Sequence, residues 1–311
     1  MEDAPMPEAF NHKSDDPLNP SVSPDVPSPG MVSPQQAGAS CPTCSAALTD
    51  QQMNASTCVY VVGHIEPRYP SLSVEKETRQ AAARVGAARE TDRQVMAKVL
   101  QDKGNKYLVR QLCWVLLIQG IEQYILIPRD GDYQSLVDAY RAEPKPGDLE
   151  LVIGTRGPIA PPAMCNGLLV PILFFDQIYV FDRTSLLDSI PKPSKADAAN
   201  FSRAAAEALD RMLEQTDSPG TSPGDIAKTY LAIRYPRIYE LAAEQFGKNA
   251  SLTSIDVFPS PLGAATHRSI VEVVFAFTDR VTDVVSKYFV RVDVTECFPF
   301  LVSKLAPYYD R

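Results

Sequence analysis

Residues 112–127 read LCWVLLIQGIEQYILI, two apolar runs on either side of Gln119-Gly120. Short β-prone runs around a glycine predict a β-hairpin. The same kind of pattern predicts strands at residues 59–62 and 149–153. It also predicts a hairpin of residues 168–175 and 178–181 around Asp176-Gln177. Near the end of the chain it predicts antiparallel strands at residues 254–258, 269–277 and 288–295. Strands therefore come in pairs rather than alternating singly with helices.

Helical composition occurs in blocks between these strand pairs. Helices are predicted over residues 73–103, with a break at Gly86, and over residues 133–141, 196–215 and 225–246. In the last of these, Asp225 can cap the start and Pro236 should end or kink the helix. Paired strands with helices inserted in blocks predict an α+β fold with a largely antiparallel sheet.

Composition divides the chain into a tail and a body. Of the 311 residues, 45% are hydrophobic and 22% are charged, and the net charge is −8. Residues 1–40 contain eight prolines, six acidic residues and one lysine, so they contribute −5 of that charge. A segment of this kind buries too little apolar surface to offset its ordering entropy. We predict a disordered Pro/Ser/Asp-rich tail over residues 1–40 and a single α+β domain over residues 41–311.

Charge and hydropathy exclude several partner classes. There is no clustered basic face of the kind that nucleic-acid binding needs. No apolar stretch reaches the roughly 18–20 residues of a membrane span, and the acidic start (Met1-Glu2-Asp3) lacks a secretory signal. We expect a cytoplasmic protein that binds neither nucleic acid nor membrane, with its six cysteines reduced or bound to metal.

The clearest ligand motif is Cys41-Pro42-Thr43-Cys44, a C-x-x-C directly after the tail. Two thiolates from one tight turn can supply half of a tetrahedral zinc site. From spacing alone, the other half could come from Cys58, Cys113, Cys165, Cys297 or a histidine. A four-cysteine site would be structural, because it leaves no open position for water. The alternatives are a redox C-x-x-C and, for Cys113, a small buried hydrophobe.

Motifs for catalysis are absent from the sequence. There is no G-x-S-x-G, no G-x-x-x-x-G-K-[ST] and no G-x-G-x-x-G. The histidines, His12, His64 and His267, lie in no nucleophile motif, and a surface position is the more typical role for each. No catalytic residue can be named.

A loop rich in proline and glycine, residues 155–167, is the best candidate binding surface. It carries Arg156, whose planar fork suits a carboxylate or phosphate, and Asn166 beside Cys165. Asp176 is a third candidate, although a hairpin tip would explain an aspartate there. The alternative is a rigid structural loop in which Arg156 pairs with a nearby acid.

Several strings distributed over the body resemble one known family. They are VYVVG (59–63), RYPSLSVEKE (68–77), CWVL (113–116), YILIPRD (124–130), RGPIAPP (156–162), MCNGL (164–168), FDQIY (175–179), YLA with RYP (230–236) and KYFVRVDVTE (287–296). In this order they resemble the C-terminal domain of unknown function of the cyanobactin maturation proteins PatG and PatA.

The resemblance implies a role with ribosomally made, modified peptides and helps to choose the metal ligands. The family pattern places cysteines at Cys41, Cys44, Cys113 and Cys165, which implies one structural Zn²⁺, whereas Cys58 and Cys297 fall outside it. In that family the domain usually follows a subtilisin-like protease. The 311 residues hold only the tail and this domain, so we do not expect protease or macrocyclase activity.

Three hypotheses follow. The first is a zinc-stabilised accessory domain that binds a precursor peptide, a modifying enzyme of the pathway or another copy of itself, with the loop at residues 155–167 contributing to the binding surface. The second is a peptide-modifying or peptide-cleaving enzyme that uses Arg156 with an acid such as Glu75 or Asp176. The third is an architectural module that forms a homodimer or larger homo-oligomer.

Overall fold

The computed structural model describes residues 58–86, 90–145, 147–191, 198–214, 218–264 and 266–309. Its first half is a closed barrel of five strands: β1 (Cys58–Arg68), β2 (Cys113–Ile118), β3 (Ile121–Pro128), β4 (Asp148–Ile159) and β5 (Pro171–Asp182). The strand order is β1-β2-β3-β5-β4, and β1 returns to pair with β4. The β3–β5 pair is parallel and the other pairs are antiparallel. The hairpin predicted at residues 112–127 is confirmed as β2 and β3.

Strand β1 closes the barrel by changing partners along its length. Its first six residues pair with β4, up to Gly63 opposite Glu150, and its last five pair with β2, starting with His64 opposite Leu117. A Cβ on Gly63 would lie 2.4 Å from the backbone oxygen of Leu117. This approach is too close for any other residue, so a glycine is needed where the strand changes partners.

The β1–β2 connection is a helical insertion: α1 (Leu72–Val85), α2 (Asp92–Gln101), a 3₁₀ turn (Lys103–Asn105) and α3 (Lys106–Gln111). Ser71 caps α1, and Thr91 forms a capping box with Gln94 at the start of α2. The predicted break at Gly86 is confirmed, since this residue is the C-cap of α1. A short helix, α4 (Gln134–Ala139), connects β3 to β4.

The core of the barrel is built from alternate residues of its strands. Trp114, Leu116, Tyr124, Leu126, Val152, Leu173 and Phe175 belong to one buried cluster, together with Leu100, Val109 and Leu136 from α2, α3 and α4. The period of two along each strand separates these residues from those on the outer face.

The second half begins with α5 (Arg183–Ser189), α6 (Ala198–Glu214), α7 (Pro223–Arg234) and α8 (Arg237–Gly247). A second antiparallel sheet follows. It is formed by β6 (Ala250–Pro259), β7 (Ile270–Asp279), β8 (Val285–Asp293) and the short strands β9 (Phe300–Leu301) and β10 (Ala306–Pro307). A single helical turn, α9 (Pro261–Ala264), lies between β6 and β7. The predicted antiparallel strands near the end of the chain are confirmed.

A single hydrophobic cluster joins the barrel to this second half. Tyr60 and Ile153, on the outer face of β1 and β4, share it with Leu209 of α6, Leu231 of α7 and Phe275 of β7. The barrel therefore uses the outside of two strands as an interface with helices and a second sheet. The predicted α+β class with largely antiparallel sheet is confirmed.

Two local predictions are wrong. Asp176-Gln177 does not form a hairpin tip, because β5 runs through it as one strand paired with β4 on one side and β3 on the other. Asp225 does not cap α7; Ser222 does, accepting a hydrogen bond from the Asp225 backbone N–H, and Pro223 is the first helical residue. Pro236 does separate two helices, as predicted, and stands at the start of α8.

Some predictions concern residues outside the described ranges. The tail over residues 1–40 and the Cys41–Cys44 motif both lie there. In the described ranges, no helix is both long enough and apolar enough to cross a membrane.

Replacing Gly63 with alanine tests the partner change in β1. We expect Gly63→Ala to destabilise the protein by about 2–3 kcal/mol, because the new Cβ would force β1 and β2 apart. Chemical denaturation measures the loss. The matched control is Gly247→Ala at the end of α8, where an added Cβ would meet no atom within 4 Å. Equal stability of the two variants would contradict the proposed constraint.

Candidate functional site

One face of the barrel is covered by the loop that connects β4 to β5, residues 160–170, which we call the β4–β5 loop. Outward-facing residues of β2 and β3, among them Val115 and Ile125, share a buried cluster with Ala160 and Cys165 of this loop, and Leu168 packs against the same cluster. The loop lies across the outside of β2, β3 and β5. The candidate site adjoins its edge.

Backbone hydrogen bonds hold the β4–β5 loop in one conformation. Ala160 N–H donates to the Val170 carbonyl at 2.9 Å, which closes the base of the loop. Gly167 N–H donates to the Pro162 carbonyl at 2.8 Å. Asn166 and Gly167 have φ values of 46° and 89°, the left-handed conformation that asparagine and glycine adopt most readily. The loop is therefore a preformed wall.

Between this wall and the start of α1 lies a cleft of about 680 Å³, which we call the loop cleft. It is bounded by the end of β1, the first turn of α1, the start of β3 and the tip of the β4–β5 loop. Its lining residues are Arg68, Tyr69, Ser71, Leu72, Glu75, Glu122, Cys165, Asn166, Gly167 and Leu168.

The loop cleft combines apolar and balanced charged surface. Arg68 Nε donates to Glu122 Oε1 at 3.1 Å, and both side chains stay partly exposed. Burial raises the pKa of Tyr69 and the nearby Glu75 carboxylate raises it further, so its phenol is a neutral hydrogen-bond donor at neutral pH. Leu72 is 62% exposed. Such a surface suits a ligand with apolar side chains and polar backbone groups.

The structure places two of the four predicted zinc ligands side by side, but it joins them as a disulfide. Cys113 of β2 and Cys165 of the β4–β5 loop have Cα atoms 5.8 Å apart. Cys58 and Cys297 form a second disulfide, with a Cα–Cα distance of 4.9 Å. Disulfides were not expected for these four cysteines, because the sequence lacks a secretory signal. In the described part of the chain, no group of three or more potential ligand side chains could hold a metal ion.

The described residues alone therefore do not form a complete zinc site. Cys41 and Cys44 lie outside the described residues, so half of the predicted ligand set has no described position. Cys113 and Cys165 are 5% and 3% exposed within an apolar cluster. Burial of this kind favours a structural rather than a reactive role for the pair.

The three predicted binding residues do not converge. Asn166 lines the loop cleft, whereas Arg156 is an exposed residue of β4 outside that lining. Asp176 is exposed on β5, where it accepts a hydrogen bond from Arg129 Nε at 2.6 Å. Arg129 also donates to the Thr155 hydroxyl. Asp176 therefore belongs to a surface ion pair on another part of the barrel.

The sequence did not single out the residues that shape the cleft. Arg68 and Leu72 entered only through the family string at residues 68–77, and Glu122 lies just after the turn of the predicted hairpin. Arg68 and Glu122 are 54 positions apart and meet only because β1 and β3 flank β2. Local patterns carry no signal for such a pair.

The barrel's topology independently points to the same surface. Five strands in a Greek-key barrel form the architecture of the oligonucleotide/oligosaccharide-binding (OB) fold, whose ligands lie over strands 2 and 3 between the β1–β2 and β4–β5 loops. The loop cleft lies between those two connections. By this analogy the loop cleft is a candidate ligand site, and the analogy leaves the chemistry of the ligand open.

Comparison with known proteins identifies related domains. Residues 58–234 match the family model described as PatG Domain, and residues 195–308 match the one described as PatG C-terminal. The chain is similar to a solved structure titled "PatG Domain of Unknown Function", with a TM-score of 0.65 and 16% sequence identity over 82% of this chain and 99% of that one. At this identity the likeness shows the fold. No curated protein matches the chain.

Removing the Cys113–Cys165 bond tests whether it fixes the wall of the loop cleft. In a Cys113→Ala/Cys165→Ala variant we expect amides of residues 163–168 to exchange with solvent at least about tenfold faster, because the loop can then open locally. Hydrogen–deuterium exchange with mass spectrometry measures this. The control is Cys58→Ala/Cys297→Ala, which removes the disulfide outside the cleft and should leave the loop unchanged. Equal exchange of the loop in both variants would refute the role of the bond.

Proposed function

The chain belongs to the PatG domain family, and on this basis we propose that it is an accessory, peptide-binding domain in the biosynthesis of a ribosomally made, modified peptide of the cyanobactin type. Its ligand is a precursor peptide or a peptide segment of a partner enzyme in the same pathway. The observation that carries this proposal is the loop cleft, a preformed concavity at the ligand-binding position of an OB-type barrel.

The chemistry of the loop cleft supports a peptide as its ligand. Leu72 and Leu168 offer apolar surface, while Asn166, Ser71 and the backbone of Gly167 offer hydrogen-bonding groups. An extended peptide presents alternating side chains and backbone amides to both kinds of surface. A cleft whose charges are already paired, as in Arg68–Glu122, favours an uncharged peptide backbone over a polyanion.

The enzyme hypothesis gains no support from the geometry. It required Arg156 to act together with Glu75 or Asp176. Glu75 pairs with Arg79 at 2.6 Å and Asp176 pairs with Arg129, while Arg156 lies outside the loop cleft. Without convergence of these groups there is no site for a reacting atom between them.

We also propose that the reduced protein holds one structural zinc ion through Cys41, Cys44, Cys113 and Cys165. The proximity and burial of Cys113 and Cys165 fit this role, since two thiolates from different elements can complete a site begun by a C-x-x-C. When bound, zinc would supply a cross-link between the chain near Cys41, β2 and the β4–β5 loop. These cysteines would then stabilise the cleft wall in place of the disulfide.

Peptide binding can be tested with a matched pair of leucine variants. We expect fluorescently labelled octapeptides of mixed sequence, N-acetylated and C-amidated, to include sequences that bind with dissociation constants of about 1 mM or tighter by fluorescence polarisation. Leu72→Asp, at the lip of the cleft, should weaken that binding about tenfold or more, because it places a charge against apolar ligand surface.

The control is Leu262→Asp on α9, since Leu262 is also an exposed leucine, at 48%, and does not line the loop cleft. It should bind like the unaltered protein. If no peptide binds the folded protein, or if both variants lose binding equally, the proposed function is wrong.

The zinc proposal has a direct chemical test. Protein purified under reducing conditions without added metal should contain about one zinc per chain by elemental analysis, and a Cys165→Ser variant should lose it. Thiol counting after denaturation with a chelator gives a second readout, because zinc-bound protein then releases at least four thiols, whereas protein with both disulfides releases two. Metal-free protein would overturn the zinc site and leave the peptide proposal standing.

A further inference from the structure

A second concavity, of about 410 Å³, lies at a different part of the barrel, and we call it the polar cleft. It forms where β1 changes partners, beside the start of β4. Its charged lining residues are His64 and Glu66 of β1, Arg93 of α2, Arg141 and Lys145 of the segment before β4, and Asp148 and Glu150 of β4.

Two carboxylates form the buried floor of the polar cleft. The Asp148 side chain is 3% exposed and the Glu150 side chain 7%. Asp148 accepts from Arg141 Nη1 at 2.6 Å and from the Lys145 backbone N–H at 2.7 Å. Glu150 Oε2 lies 3.3 Å from His64 Nδ1. Buried carboxylates need such partners, because an unpaired buried charge is very costly.

The cationic partners of these acids form the rim. Arg93 and Arg141 are each 27% exposed, and His64 is 55% exposed. Asp148 and Glu150 lie beneath these cations, and the third carboxylate, Glu66, is 29% exposed and paired with Arg93, so the unpaired charge that faces solvent is positive. An arriving ligand meets cations first.

The rim cations are held in place before any ligand arrives. Arg93 lies over the Tyr140 ring at 4.3 Å, donates through Nε to the Arg141 carbonyl at 2.7 Å and pairs with Glu66 at 2.6 Å. A guanidinium has five N–H donors. Within the described residues, these contacts engage two donors of Arg93 and one of Arg141. Fixed cations with spare donors are what anion recognition requires.

The net charge of the polar cleft depends on His64. With His64 neutral, Arg93, Arg141 and Lys145 balance the three carboxylates; with His64 protonated, the cleft carries one net positive charge. The hydrogen bond to Glu150 is the main cause that raises the pKa of His64, and burial opposes it while the charges of Glu150, Glu66 and Asp148 add to the rise. The cleft is thus positive below that pKa and neutral above it.

We propose that the polar cleft binds the carboxylate of a peptide chain, with Arg93, Arg141 and His64 Nε2 as the donors. A single net positive charge matches a monoanion better than a phosphate dianion, which would be repelled by the carboxylates on the floor. The planar fork of arginine matches the geometry of a carboxylate. This site is separate from the loop cleft, and the inference does not rest on the peptide-binding function proposed for that cleft.

The test is calorimetric titration of the full chain with three probes: N-acetylated trialanine, the same peptide as its C-terminal amide, and inorganic phosphate. At about pH 6 we expect the free carboxylate to bind at least about tenfold more tightly than the amide, because only it accepts charge-assisted hydrogen bonds. Raising the pH to about 9 should weaken carboxylate binding about three- to tenfold as His64 loses its proton.

Variants assign this binding to the polar cleft. Arg141→Lys keeps the charge but loses the fork, and should weaken carboxylate binding about tenfold. His64→Gln, on the exposed rim, should abolish the pH dependence, and it carries the test if Arg141→Lys fails to fold. Arg237→Gln on α8, which removes an arginine 50% exposed outside the cleft, is the control. Equal affinity for acid and amide, tighter binding of phosphate, or unchanged binding and pH dependence in His64→Gln would each overturn the proposal.

Discussion

Closure of the barrel by β1 is the constraint on which the other features depend. One strand of 11 residues pairs with β4 over its first part and with β2 over its second, and the change occurs at a glycine with no room for a side chain. A sheet closed in this way has no exposed edge, and its strands must be sharply bent and staggered. The outward residues of β1 then serve two different purposes. Tyr60 and Val62 enter the large core with α7 and the second sheet, whereas His64 and Arg68 reach clefts.

Local sequence signals predicted the elements whose causes are themselves local. The β2–β3 hairpin follows from two apolar runs around Gln119-Gly120, and the separation of α7 from α8 follows from Pro236. β5 was misread because Asp176-Gln177 looks like a turn between two apolar runs. Both are instead exposed residues within β5, where the strand shifts register against β4 and has just left its pairing with β3. Parallel pairing of β3 with β5 spans a long separation in sequence, which no short-range pattern records.

The candidate sites were harder to predict for the same reason. Asn166 was identified as a candidate binding residue because the prolines and glycines of residues 155–167 predict a loop. Arg68 with Glu122, and His64 with Glu150, are 54 and 86 positions apart and meet only after closure. The proximity of Cys113 and Cys165 was predicted, since both belonged to the expected zinc-ligand set. Their chemical state was not, because it depends on distances that the fold alone defines.

The two clefts are chemically different although they share a strand. His64, Glu66 and Arg68 alternate along β1, so their side chains point to the same side, and His64 and Arg68 are separated by about 13 Å at the rise of a β-strand. The loop cleft has apolar side chains at its edge, and its Arg68 and Glu122 charges are paired with each other. The polar cleft offers fixed cations over buried acids. An extended peptide of about four or five residues has the length to span that distance. The geometry of β1 therefore sets the spacing between the two clefts.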